Sequence, residues 1–180
     1  MTPFANRMLL AAKLNTAVYE EVEADRSALG QAMGVVILAS LAAGIGSMQQ
    51  VGAGGLLLGT LSALLGWGAW AAITYIIGTR LMPEPQTRAD YGELLRTIGF
   101  ASAPGIIRIL GVIPGLMGIV FLVASVWMLV AMVIAVRQAL DYQSTGRAVL
   151  VCLIGWLVQA LIMAIVFAFT GVPGAEAVGG

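Results

Sequence analysis

Long apolar runs, separated by short polar or glycine-rich breaks, set the organisation of this chain. They cover residues 28–48, 56–79, 91–112, 115–136 and 148–170, each 21 to 24 residues long. A helix rising about 1.5 Å per residue crosses about 30 Å of hydrocarbon in roughly 20 residues, so each run is long enough to span a bilayer. The runs are continuous rather than alternating, which excludes barrel strands of about ten residues. The third run is the exception in composition: Arg96 and Arg108 leave only eleven uncharged residues between them.

The breaks carry the local signals. Glycines around residues 52–55 predict the turn between the first two spans. Pro83 and Pro85 end the second helix, because a proline disfavours helical geometry in the residue before it. Thr87 and Asp90 are spaced like a capping box, which predicts a third helix starting near Arg88. The sequence GVIPG at 111–115 leaves room only for a tight turn, making the third and fourth spans an antiparallel pair. Ahead of the spans, Met8, Leu9 and Ala12, then Val18, Tyr19 and Val22, fall at helical spacing, with Asn15 or Thr16 as a cap. This predicts short helices in a solvated lead-in, or an amphipathic segment on the membrane surface with an acidic face for a partner.

Charge placement fixes an expected orientation. With the N-terminus inside, the inner segments hold Arg7, Lys13, Arg26, Arg80, Arg88, Arg96, Arg137 and Arg147, eight of the nine basic residues. The ninth is Arg108, within a span. Such a bias follows the positive-inside rule, and it fails if the third run does not cross. The expected fold is therefore all-α: an integral membrane bundle of five transmembrane helices, N-terminus inside and C-terminus outside. Its parts are a cytoplasmic segment at 1–27, the bundle at 28–170 and an exterior tail at 171–180. Five apolar residues in MLLAA fall short of a signal-peptide core, so no cleaved signal is expected.

Composition agrees and narrows the chemistry. The chain is 60% hydrophobic and only 10% charged, where soluble domains are nearer a quarter charged. The formal net charge is zero, which gives no footprint for nucleic acid. The sequence contains no histidine, and none of the firmer spans carries an acidic residue. Zinc-protease helices, Ser-His pairs and aspartyl dyads therefore have no residues to build them, and no P-loop is present. Neither an enzyme nor a cofactor nor a metal site is expected. Cys152 reads as an inert buried thiol.

Two features remain. Gly30 and Gly34, and then Gly55, Gly59 and Ala63, recur four apart, as small residues do where helices pack in lipid. Packing inside the bundle, or self-association, would use them. Arg108 lies deep in the third span, where a charge costs roughly 2.5 kcal/mol or more. It either snorkels to the outer headgroups, or contacts an anion or lipid headgroup, or joins a polar cluster with Gln159, and Ser102 and Ser125 complete the candidate intramembrane polar site. Pro104 predicts a kink that frees a carbonyl near Phe100, which Ser102 or a neighbouring helix could satisfy.

At YGELLRTIGFASAPG the chain resembles the Yip domain family, the Ypt-interacting membrane proteins. That family is marked by an aromatic residue four positions before a proline at the start of the third of five spans. Phe100 and Pro104 match it, with Tyr91, Leu94 and Gly99 around them. The resemblance implies a non-enzymatic membrane scaffold or adaptor, in eukaryotes working in vesicle traffic through small lipidated GTPases. Asp25-Arg26-Ser27-Ala28 stands where the eukaryotic Asp-Leu-Tyr-Gly-Pro element would be. That departure points to a prokaryotic member in the bacterial plasma membrane. The expected partners are the lipid bilayer and a protein at the inner face (1–27, 80–93 and 137–147), or a second copy. The competing reading is a small channel or transporter for a neutral or anionic solute.

Overall fold

The computed structural model describes residues 3–170, and the regular structure among them is helical throughout. The expected tail at 171–180 lies outside these residues. Two short helices, α1 (Phe4–Ala12) and α2 (Thr16–Ala24), precede a 3₁₀ turn at Arg26–Ala28 and then α3 (Leu29–Gly46). Next come α4 (Met48–Ile76), broken by a kink at Gly52 (φ 63°) and continued by a π-helical turn at Ile77–Leu81, and α5 (Tyr91–Phe100), continued by a 3₁₀ helix at Ala103–Val112. Helices α6 (Met117–Ala139) and α7 (Thr145–Thr170) complete the described chain. Five stretches are long and apolar enough to cross a membrane: Arg26–Gly46, Gly54–Leu81, Tyr91–Val112, Met117–Ala139 and Thr145–Ile162.

The third span is the centre of the molecule. More than half of its apolar window is buried (56%), against 6% for the second. Its start is set by a capping box three residues later than Thr87–Asp90. The Glu93 amide donates to Asp90 Oδ1 (2.8 Å), and the Asp90 amide donates to Glu93 Oε2 (2.7 Å). Thr87 instead accepts from the Glu84 amide in the preceding loop. The helix thus begins at Tyr91 rather than near Arg88, because Asp90 has an acidic residue at N3 that can reach back.

Pro104 ends the α-helical half. Its ring would clash with the carbonyl of Phe100 in a continued helix, and α5 stops at that residue. The chain does not resume as a kinked α-helix; it tightens into ten residues of 3₁₀ helix, with proline in the first turn. A 3₁₀ run of this length is uncommon, and at about 2.0 Å per residue it covers about 20 Å. Glycines pack its face against α3: a Cβ on Gly111 would lie 2.9 Å from the Gly46 carbonyl oxygen, and one on Gly105 3.3 Å from Ala39 Cβ. Gly105 and Gly111 are six apart, two turns of a 3₁₀ helix, so they share that face. Closer still, a Cβ on Gly46 would sit 1.9 Å from the Arg108 carbonyl oxygen.

These close contacts differ from the expected packing stripe. Nothing lies within 4 Å of a Cβ placed on Gly30 or Gly59, and Gly34 meets only the ring of Phe4 at 3.6 Å. Gly30 and Gly59 are exposed on the bundle surface, so they do not bring helices together within the chain. Gly55, Gly59 and Ala63 line a cleft instead.

The lead-in is not solvated. Ala11, Val18, Tyr19 and Val22 are at most 2% exposed and share one core cluster with Ala32, Val35, Phe100 and Ala131. Asn15 caps α2 by accepting from the Ala17 amide (2.9 Å). The turn before it is a Schellman motif: Leu14 N–H donates to Ala11 O and Asn15 N–H to Leu10 O. Leu14 takes the left-handed position (φ 61°) that glycine usually fills. Trp127, from the middle of α6, donates to the Ala12 carbonyl (2.8 Å). The pair α1–α2 is therefore a wedge packed between α3, the third span and α6.

Candidate functional site

Two polar regions stand out, one at each end of the third span. The first is the face built from α1–α2, the 82–90 loop and the turn at 140–144. Arg96, only 5% exposed, reaches from α5 to the end of α2. Its Nε donates to the Val22 carbonyl (2.9 Å) and the Glu23 carbonyl (3.1 Å), and Nη2 also donates to Glu23 O. The last carbonyls of a helix have no partner within it and carry partial negative charge. Arg96 is thus a cap for α2 supplied from another element. Charge counting placed Arg96 at the membrane boundary; its capping role needs the fold.

Arg7 does the same kind of work within the wedge. Its guanidinium, 2% exposed, pairs with Glu21 and Asp25 at 2.9 Å each and donates to Gln31 Oε1 (3.1 Å). A Ser27 hydrogen bond, then Arg7, holds the Asp25 carboxyl below its ordinary range. Glu23 behaves oppositely. Desolvation first, then Glu20, Asp141 and Glu93, push its carboxyl up to about 8, with Arg96 only partly opposing them. Its Oε2 is buried without a hydrogen-bond partner.

The two loops are tied to each other. Tyr142, 3% exposed, donates its hydroxyl to Met82 O (2.7 Å) and Gly78 O (3.1 Å), closing the end of the second span. Burial raises the Tyr142 phenol above its ordinary value. Arg147 pairs with Glu84 (3.2 Å) and donates to Pro83 O (3.2 Å), while the Gln143 amide donates to Glu84 Oε2 (3.1 Å). Gln86 donates to Asp141 O (3.0 Å), and Gln138 to Glu20. Three segments far apart in sequence form one cross-linked polar surface.

The second region surrounds Arg108. Its Nη2 donates to Ser125 Oγ (2.9 Å) on α6, and the guanidinium lies 5.4 Å from the Phe121 ring centroid. Two adjoining cavities of about 260 and 290 Å³ share Arg108, Ser40 and Ala63 as walls. Ser102 and Trp67 line the first of them. Of the four expected polar residues, the fold thus brings together Arg108 and Ser125, with Ser102 in the same cavity. Gln159 is elsewhere, in a cleft with Leu153, Trp156, Leu157 and Ala160 on α7. Helix α7 packs on α6 and α4 rather than on the 3₁₀ segment, so Gln159 does not meet Arg108.

The residues of the aromatic-to-proline motif are structural anchors. Leu94 and Phe100 are fully buried and Pro104 is buried beside them. A Cβ on Gly99 would lie 2.7 Å from Ala32 Cβ, so α5 and α3 touch there through glycine. The Tyr91 hydroxyl donates to the Gly68 carbonyl of α4 (2.9 Å).

The family model for the Yip1 domain matches residues 16–167. The chain belongs to the Yip1 domain family. This Yip1 domain is a multi-pass integral membrane protein with five candidate spans. The match opens at Thr16, the first residue of α2, which is the helix that Arg96 caps. No curated protein and no solved structure matches the chain.

Proposed function

We propose that this Yip1 domain is a non-enzymatic membrane scaffold whose recognition surface is the polar face of α1–α2, the 82–90 loop and the 140–144 turn. The observation that carries the reading is the preorganisation of that face. Arg96, Arg7, Tyr142 and Arg147 fix three separate segments by hydrogen bonds and ion pairs. A surface already ordered before a partner arrives loses less conformational freedom on binding. Exposed charges of both signs, Glu20, Arg26, Arg88 and Asp141, remain on it for recognition. Leu94, Ile98, Phe100 and Ala103 of the third span are packed in the core at no more than 3% exposure, which favours a scaffold over a solute channel. Positive-inside charge bias supports a cytoplasmic location for this face, and the Asp25–Ala28 departure supports a prokaryotic plasma-membrane protein.

The test is site-specific photocrosslinking in native membranes. Probes at Glu20 and Gln143 give one discrete adduct, and a probe at Ile119, at the opposite end of α6, does not. Liposomes carrying the protein show no flux of neutral or anionic solutes. Flux that disappears in Arg108→Leu would establish transport instead.

A further inference from the structure

The cleft around Arg108 plays no part in the scaffold reading, yet it is built for a ligand. Its walls come from α3, α4, the third span and α6: Val36, Ala39, Trp67, Ile98 and Met128 are apolar, and Ser40 and Ser102 add hydroxyls. Helices α4 and α6 scarcely touch, joined chiefly where Trp70 Nε1 donates to Met132 Sδ (3.2 Å). Helix α7 packs over part of this gap, where Gly155 meets Trp70, and the cavity lies at the depth of the spans, so the entrant comes from the lipid phase. Arg108 caps the cavity and also lines the adjoining one. Among the described residues it forms no ion pair, its Nε is buried without an acceptor, and Ser125 satisfies only one of its donors. A half-buried guanidinium with open donors calls for an anion, and its fork suits phosphate oxygens. Arg108 is four residues before Val112, about 8 Å at a 3₁₀ rise, which is the depth of a phosphate drawn slightly below the headgroup level.

We propose that the cleft binds one anionic phospholipid, its phosphate on Arg108 and an acyl chain lying along the cavity toward Trp67 and Trp70. A neutral solute would leave the guanidinium donors unmet, and a protein helix is too wide for the cleft. The lipid supplies both the anion and the apolar body that the two halves of the site require.

The experiment uses tryptophan quenching. The full chain, with the exposed Trp156 replaced by phenylalanine, is reconstituted in phosphatidylcholine vesicles. These contain a small fraction of phosphatidylglycerol brominated on its acyl chains. Quenching should exceed that given by the same fraction of brominated phosphatidylcholine. Arg108→Gln should raise the mole fraction for half of that excess about tenfold, equivalent to about 1.4 kcal/mol. Ala63→Leu narrows the wall shared by both cavities with Arg108 intact, and it should abolish the excess. This second variant decides the matter if Arg108→Gln loses helicity. Inorganic phosphate should leave the quenching unchanged. Equal quenching by the two lipids, an excess that survives both variants, or displacement by inorganic phosphate would each overturn the proposal.

Discussion

Arg96→Met removes the cap that the third span places on α2 while keeping an apolar stem of similar length. The wild-type guanidinium is 5% exposed and serves the Val22 and Glu23 carbonyls. Water cannot replace it without separating the wedge from the bundle. A hydrogen bond to a charged group contributes about 1.5 to 3 kcal/mol, and an orphaned buried carbonyl costs about 1 to 3 kcal/mol. The bond to Val22 is buried and those to Glu23 are only partly so, so a loss of about 3 kcal/mol in docking is the expected figure. That corresponds to about a hundredfold rise in the open population. Hydrogen exchange in detergent micelles reads it directly. The amides of α2 lose about two decades of protection, whereas those of α6 near Ala131 change little, because local opening does not require the spans to separate. Trypsin cleavage at Lys13 and Arg26 should accelerate in parallel. If α2 keeps its wild-type protection, the wedge is held by its apolar face alone and the capping argument is wrong.

Other outcomes follow from the same geometry. Gly99→Ala pushes a methyl against Ala32 and should cost about 1 to 3 kcal/mol, whereas Gly30→Ala meets open space and should gain up to about 1 kcal/mol; thermal unfolding in micelles compares them. Glu23 has a folded-state value pushed up to about 8 from an ordinary 4.5, so the native state holds the proton more tightly than the unfolded chain. Its contribution is therefore full below the ordinary value and is lost as pH rises toward 8, by about 1 to 2 kcal/mol once solvent screening is allowed for. Glu23→Gln should flatten that slope and raise stability at pH 8, and an unchanged pH profile would contradict the buried-carboxylate reading.

The number and extent of the spans were legible because lipid imposes length and apolarity on any crossing segment, and residues 91–112 satisfied both despite Arg96 and Arg108. The break before Pro104 was legible too, since a missing amide and a ring clash are local facts. What followed the break was not. A 3₁₀ helix of ten residues rests on its packing against α3 through Gly46, Gly105 and Gly111, and the six-residue glycine spacing was the available signal. The stripe at Gly30 and Gly59 does not pack within the chain; spacing alone does not say which face meets a neighbour.

The polar face divides the same way. The Asn15 cap could be read from composition and position, but docking of the wedge depends on pairs 73 and 74 residues apart, Arg96 with Glu23 and Val22. A mixed-charge segment with modest apolar content looks solvated until its partners are known. Arg108 and Ser125 could be proposed as a pair because both sit in spans, whereas Gln159 required knowing that α7 packs on α6 and α4.

The arrangement of spans with the wedge and both polar loops at one end is tested most directly by single-cysteine labelling in sealed vesicles, in a Cys152→Ser background. Cysteines at Thr16, Gln86 and Gln143 should react with a membrane-impermeant maleimide from one and the same side, and a cysteine at Gly115 only from the other. Reaction of position 115 from the side that labels position 86 would mean that the third span does not cross, and the bundle described here would be wrong.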